Sequence, residues 1–314
     1  MNFMNVFNQI LTLFILIIVG FALRKLSLMK DELIKGLTAL IIQVTMPAMI
    51  LDSMIHQSFS VELLLNSMTA LGISFLIYFL LIALSFPFAK ALAAPVQQEG
   101  VFRFAFVFSN VGFMGYPVIE AVFGQKALFY TAIYNLPFNL LAFTFGIILL
   151  VKGNSTSTIR LELKHFLSPV VISILLGFAL FLLKLPLPAP VGNTIKLLGS
   201  VTTPMSMVVI GALLAKSNPR YIFTKWRIYV LSMARLVAIP LLIFYTLRLF
   251  TTNIYFTAIP AMIAGMPVAA NTALLAEEYK MDANLASEMV FISTLLAVAT
   301  IPFLALFMLD PTLA

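Results

Sequence analysis

The sequence predicts an all-α polytopic membrane protein of ten transmembrane helices, arranged as a 5+5 inverted repeat with broken, crossing helices 4 and 9. Three observations carry this reading. Of the 314 residues, 62% are hydrophobic and only 10% charged, with a mean hydropathy of +1.08, a balance that excludes an ordinary soluble domain. Apolar runs of the roughly 20 residues needed to cross a hydrocarbon core can be placed ten times. Two short segments, Gly115-Tyr116-Pro117-Val118 and Gly265-Met266-Pro267-Val268, repeat one pattern 150 positions apart (265 − 115), and each interrupts an apolar stretch.

The ten spans are 4–23, 33–51, 65–89, 103–123, 127–151, 166–184, 194–215, 226–250, 254–279 and 287–309. The third, fifth and eighth are long enough to tilt. The net charge of +7 does not signal a nucleic-acid partner, because the basic residues sit in short loops beside the spans, where they act as topology signals. With the N-terminus outside, 14 of the 19 fall at cytoplasmic positions, Lys126, Lys184, Lys196 and Arg248 lie on the other face, and Arg235 stays within a span. That asymmetry predicts a multi-pass protein of the cytoplasmic (plasma) membrane with both termini outside. Span one is followed, not preceded, by the basic pair Arg24-Lys25, the reverse of a cleaved signal peptide, so it is expected to remain in the mature chain. The chain contains no cysteine, which rules out disulfides and thiolate metal sites.

Five spans precede the longest polar linker, 152–165, and five follow it. An odd number per half makes the halves 1–151 and 166–314 enter the bilayer from opposite sides, so similarity between them implies an inverted repeat. A second match supports it: Val44-Thr45-Met46-Pro47 resembles Val201-Thr202-Thr203-Pro204, at an offset of 157 (201 − 44). Pro47 and Pro204 either break their spans or only kink them.

Pro117 and Pro267 are read as breaks. Proline removes a backbone donor and biases the preceding residue away from the helical region, and Gly112, Gly115 and Gly265 beside them let the chain turn. Unwound backbone in a bilayer is tolerated only where protein buries it or it lines a cavity, and a matched pair of breaks points to a midplane substrate site. The half-helix after each break presents its amides, the positive end of its dipole, which favours an anion. Ser109 and Asn110 lie before the first break; Asn271 and Thr272 follow the second. Amide side chains both donate and accept, so these residues either hold a carboxylate or cap and cross-link helices. Asn135 and Asn139, four residues apart in span five, share a helical face and serve either a cavity or helix–helix contact. Arg235 either draws an anion inward or snorkels to the surface. Asp52, Glu120, His56 and His165 are expected at wet helix ends or in loops, and the cluster Glu277, Glu278, Lys280 and Asp282 in a solvated loop. Nothing in the spacing of the 29 phenylalanines and 16 methionines calls for a cofactor, and no metal site is predicted.

The segment Ser109-Asn110-Val111-Gly112-Phe113-Met114-Gly115-Tyr116-Pro117 resembles the fourth-helix motif of the auxin efflux carrier family, whose plant PIN members have an asparagine followed by Met-Gly-Ile-Pro. The matching residues here are Asn110, Met114, Gly115 and Pro117. A second stretch, from Pro267 through Ala276-Glu277-Glu278-Tyr279 to Leu285-Ala286-Ser287 and Phe291, is similar to the family's ninth and tenth helices. The resemblance implies a scaffold domain and a transport domain, each drawn from both repeats, with the crossing helices moving relative to the scaffold. It also implies an organic-anion substrate (auxin in plants, carboxylates such as malate or malonate in bacteria), a homodimer, and a carboxylate contact at Asn110. The long cytoplasmic loop of many plant carriers is missing, and Glu120 stands where plant members tend to have lysine. Neither auxin nor plant regulation is therefore expected.

Together these features predict a secondary transporter that moves a small carboxylate by alternating access. An intramembrane enzyme would need a nucleophile and base, paired acids or a metal cluster at membrane depth, and the spans offer none. A channel or receptor would not need inverted, broken helices.

Overall fold

The computed structural model describes residues 3–57, 59–151, 168–185, 187–216 and 225–309. The predicted linker 152–165, His165 and Arg220 lie outside them. Among the described residues the structure is helical, with one isolated β-bridge and no strand. Seven helical segments are long and apolar enough to cross a membrane: Asn8–Lys25, Asp31–Ile55, Val61–Ala91, Gln125–Val151, Ala189–Ala215, Trp226–Arg248 and Ala283–Met308. Three shorter apolar ones are Val111–Phe123, Pro169–Leu183 and Ile254–Ala264. Each of the ten predicted spans overlaps one of these. Leu76, Leu197, Leu249 and many other large apolar side chains stand exposed on their helices, a surface suited to acyl chains and not to water.

In chain order the helices are α1 (Phe3–Lys25), α2 (Asp31–Leu40), α3 (Met46–Ile55), α4 (Val61–Ala91), α5 (Val96–Val107), α6 (Tyr116–Phe123), α7 (Gln125–Leu141) and α8 (Ile147–Val151). They continue with α9 (Pro169–Leu183), α10 (Ala189–Ser200), α11 (Thr202–Lys216), α12 (Trp226–Met233), α13 (Ile239–Arg248), α14 (Ile254–Ala264), α15 (Asn271–Glu278) and α16 (Ala283–Met308).

Four π-helical turns, Ile41–Thr45, Val111–Gly115, Ala142–Gly146 and Ala234–Ala238, are inserted between these helices. Three of them are followed two residues later by a proline, at Pro47, Pro117 and Pro240. A proline ring clashes with the carbonyl four residues back and cannot donate to it. The widened turn shifts the hydrogen bonding by one residue: the Met46 amide donates to Ile41 and the Ile239 amide to Ala234, each five residues back. The helix therefore passes through each proline without a break. Pro204 lies in the first turn of α11, just past a turn at Val201, whereas Pro47 follows a π turn in a helix that continues through it.

The chain divides into two units. One is drawn from Met1–Leu71, Gly112–Leu136 and Leu167–Ser217. Its closest packing is between α1 and α11, where two glycines let the backbones meet: a Cβ at Gly20 would lie 2.0 Å from the Val208 carbonyl oxygen, and one at Gly211 1.9 Å from that of Ile17. In the same unit α3 packs against α9 and α10. Asp52 is not at a wet end as expected. It is buried in the last turn of α3, accepts a hydrogen bond from Gln125 Nε2 at 2.6 Å, and lies 3.3 Å from His56 Nδ1. Glu120 is partly buried and accepts from the Thr203 hydroxyl at 2.7 Å.

The other unit is drawn from Gly72–Val111, Pro137–Phe166 and Asn218–Ala314. Here α5 packs on α8, α13 on α14, and α16 on α12 and α15. Glu277, Glu278 and Lys280 are exposed as expected, but Asp282 has structural partners: it caps α16 through the Leu285 amide and accepts from Gln98 Nε2.

Because the clash at Gly211 is with backbone, Gly211→Leu is expected to cost more than about 3 kcal/mol, the upper end of ordinary overpacking. Gly36→Leu, at a site where an added Cβ meets nothing within 4 Å, should be tolerated. Thermal unfolding and size-exclusion monodispersity of the two variants in detergent check this.

Candidate functional site

The site is a crossing of two unwound segments inside the second unit. The first segment follows α5. Phe108 takes up extended backbone (φ −99°, ψ 120°), and Ser109 and Asn110 lead into the Val111–Gly115 turn. The second runs from Gly265 to Ala270, between α14 and α15. Ser109 and Val268 form an antiparallel bridge. The Asn110 amide donates to the Pro267 carbonyl at 2.8 Å, and the Ala269 amide donates to the Phe108 carbonyl at 3.1 Å. The two unwound segments are thus hydrogen-bonded to each other through their backbones.

The first break does not fall where the sequence pattern placed it. Pro117 lies within helix α6, while the chain unwinds at Phe108–Asn110; Pro267 lies in the second break itself. The two Gly-x-Pro-Val segments are therefore not structurally equivalent. An offset of 157, the one shared by the Pro47 and Pro204 motifs, pairs Asn110 with Pro267, the residues joined across the crossing.

A helix that stops inside a membrane leaves its last carbonyls without amide partners. Arg235 supplies them here. Its Nε donates to the Met266 carbonyl at 3.1 Å, and its Nη1 donates to the carbonyls of Ala105, at 3.0 Å, and Phe106. The side chain is 1% exposed, so it does not snorkel. Its entry point is the Ala234–Ala238 turn. On the other strand of the crossing, the Val268 amide donates to Ser293 Oγ at 3.0 Å, and that hydroxyl donates onward to Met289 within α16. An aromatic layer closes against Phe108: Tyr78 stacks on it at 6.1 Å and Phe138 meets it edge-on at 5.7 Å.

Of the predicted site residues, Asn110, Asn139, Arg235, Gly265, Pro267, Asn271 and Thr272 belong to this unit. Asn110 is buried and Asn139 and Asn271 are partly exposed. Asn271 is the first residue of α15; the capping position is Ala270, which makes no side-chain cap, so Asn271 does not serve as the helix cap. Thr272 is fully buried, and its hydroxyl has no hydrogen-bond partner among the described residues. Gly112, Met114, Gly115, Pro117 and Asn135 belong to the first unit. There Asn135 is buried and donates through Nδ2 to the Tyr116 hydroxyl at 3.1 Å, a helix–helix contact. Gly112 faces Met46, whose side chain an added Cβ would touch at 3.5 Å.

Sequence reasoning missed Ser293 and Tyr78. A lone serine in an apolar span gives no signal. Nor does a tyrosine in the middle of an apolar span. Chemically the crossing holds a buried positive charge that forms no ion pair among the described residues, with the amide side chains of Asn110 and Asn271 and the hydroxyl of Thr272 on its segments.

Comparison with known proteins gives a consistent set of relatives. A family model described as membrane transport protein matches residues 5–305. An uncharacterized transporter of Methanothermobacter thermautotrophicus is 26% identical over 96% of this chain and 98% of its own length. A second uncharacterized transporter, from Methanocaldococcus jannaschii, is 25% identical over 91% of this chain and 94% of its own. A Rhizobium meliloti protein named "Putative malonate transporter" is 23% identical over 93% of this chain and 92% of its own.

Ser293→Ala would leave the Val268 amide buried without an acceptor, at a cost of about 1–3 kcal/mol. Ser287→Ala, at an exposed hydroxyl bonded only within its own helix, should stay within about 0.5 kcal/mol of wild type. Denaturant unfolding in detergent, with hydrogen exchange at the Val268 amide, measures both.

Proposed function

The chain belongs to the membrane transport protein family, that of the auxin efflux carriers, and on that premise we propose that it moves a small organic anion, a carboxylate, across the cytoplasmic membrane by alternating access. The observation that carries the reading is the crossing. Two broken helices meet backbone to backbone beside a buried arginine, with Asn110, Asn271 and Thr272 on the segments that cross or directly follow. Their amide and hydroxyl groups, with Asn139 nearby in the same unit, suit a carboxylate, which accepts several hydrogen bonds at once. The positive end of the α15 dipole adds to this preference. Gly112, Met114, Gly115 and Pro117 shape the chain that leaves Asn110, and Gly265 and Pro267 shape the second break. The name of the Rhizobium meliloti relative makes malonate the first substrate to try.

The architecture that goes with this reading is ten spans in two inverted halves, at a repeat offset of 157. Three matched pairs support that register, Val44 with Val201, Thr45 with Thr202 and Pro47 with Pro204, and the same offset separates Asn110 from Pro267, which meet at the crossing. Both termini lie outside in this topology, and a homodimer follows from the family resemblance. An inside-negative potential contributes about 2.3 kcal/mol per elementary charge per 100 mV to outward movement of an anion, so export needs no coupled ion whereas concentrative uptake does.

The test is uptake of labelled mono- and dicarboxylates into proteoliposomes under imposed potential and pH gradients. Saturable transport of carboxylates is expected, with neutral analogues excluded; equal handling of the neutral analogues overturns the assignment. Asn110→Ala is expected to lower transport at least as severely as Asn271→Ala, with the thermal transition unchanged.

A further inference from the structure

We propose that Arg235 is a resident cation, a covalently attached substitute for the alkali ion that broken-helix carriers bind at their half-helix ends, so that the crossing needs no dissociable cation to form or to work. The proposal rests on the transporter reading above. In carriers built on broken helices, unwound backbone carbonyls and half-helix C-termini form the place where a sodium ion is held. Here the corresponding oxygens are occupied. Ala105 and Phe106 belong to the last turn of α5, and Met266 lies two residues beyond the end of α14. All three carbonyls accept from the one guanidinium.

The charges match as well. A helix C-terminus carries roughly half a negative charge, so two of them offer about one unit to a side chain that carries one. Arg235 has no carboxylate partner in any ion pair among the described residues, and no cluster of three or more acidic, histidine or cysteine side chains is present among them. The carbonyls are therefore its counter-charge. At 1% exposure water does not screen the charge, and guanidinium does not lose its proton in proteins. Unlike a bound ion, this cation cannot leave between transport steps. Its Nη2 is buried without an acceptor among the described residues, so part of its donor capacity is not taken up by the backbone it braces.

Labelled malonate counterflow in proteoliposomes, with sodium, potassium or choline as the only small cation, tests the proposal. Wild type is expected to run at the same rate in all three; transport that occurs but requires sodium overturns the inference while leaving the transporter reading intact, and absence of any carboxylate transport overturns the reading itself. Arg235→Ala is expected to lose at least about tenfold in rate and to recover when millimolar guanidinium is added, but not when its neutral isostere urea is added. Recovery with urea, or none with either in a folded variant, defeats the proposal. If Arg235→Ala does not fold, its thermal transition in detergent should rise with guanidinium and not with urea. Arg235→Lys, which keeps the charge, should retain more flux in choline than Arg235→Gln, which keeps size and hydrogen bonding; equal flux in the two also overturns it.

Discussion

A chain that unwinds in hydrocarbon must find a protein partner for each N–H and C=O it frees, since unsatisfied groups cost several kcal/mol each in lipid. The crossing meets that demand from three sources. The two segments bond to one another at Asn110–Pro267 and Phe108–Ala269, α16 offers the Ser293 hydroxyl, and Arg235 reaches in from the π turn between α12 and α13. The rest of the second unit follows from it: α12, α13, α14, α15 and α16 are packed where these partners must stand. Polar side chains stand on the same segments, Asn110 before the turn and Asn271 and Thr272 at the start of α15.

Arginine suits this position for a reason that lysine would not meet. Its donors are fixed in a planar fork, and three carbonyls from two chain segments lie within reach of a single side chain. The same fork brings a full charge into the interior, and the half-helix ends supply partial charges of the opposite sign. Brace and electrostatic balance are one interaction. That also accounts for a buried arginine with no acid in an ion pair with it among the described residues, which would otherwise be strongly unfavourable.

Much of this was legible in the sequence. Hydropathy located all ten apolar segments, and the polar residues beside the breaks pointed to the crossing. What misled was the more conspicuous motif. Gly-x-Pro-Val recurs at an offset of 150, yet Pro117 is helical and Pro267 is not, because a proline is accommodated by a π turn in one place and by unwinding in the other. Single-chain patterns do not distinguish these outcomes, which depend on whether partners for the freed carbonyls are at hand. The quieter match, Thr45 and Pro47 with Thr202 and Pro204, has the offset of 157 that also separates Asn110 from Pro267, the pair bonded across the crossing. Asp52 differs from expectation for the related reason that its partner, Gln125, lies on another helix, whereas Asn135 makes the helix–helix contact that was one of its two expected roles.

The bridge between Ser109 and Val268 joins residues 159 positions apart (268 − 109). During synthesis the earlier segment enters the bilayer long before its complement exists, and Arg235, which closes the Ala105 and Phe106 carbonyls, is itself made late. Until the ribosome has delivered both, the nascent first half holds open polar backbone in lipid or at the insertion machinery. Completion of the fold is consequently a late event in biogenesis, and a chain truncated before residue 268 leaves the insertion pathway with a wound it cannot close.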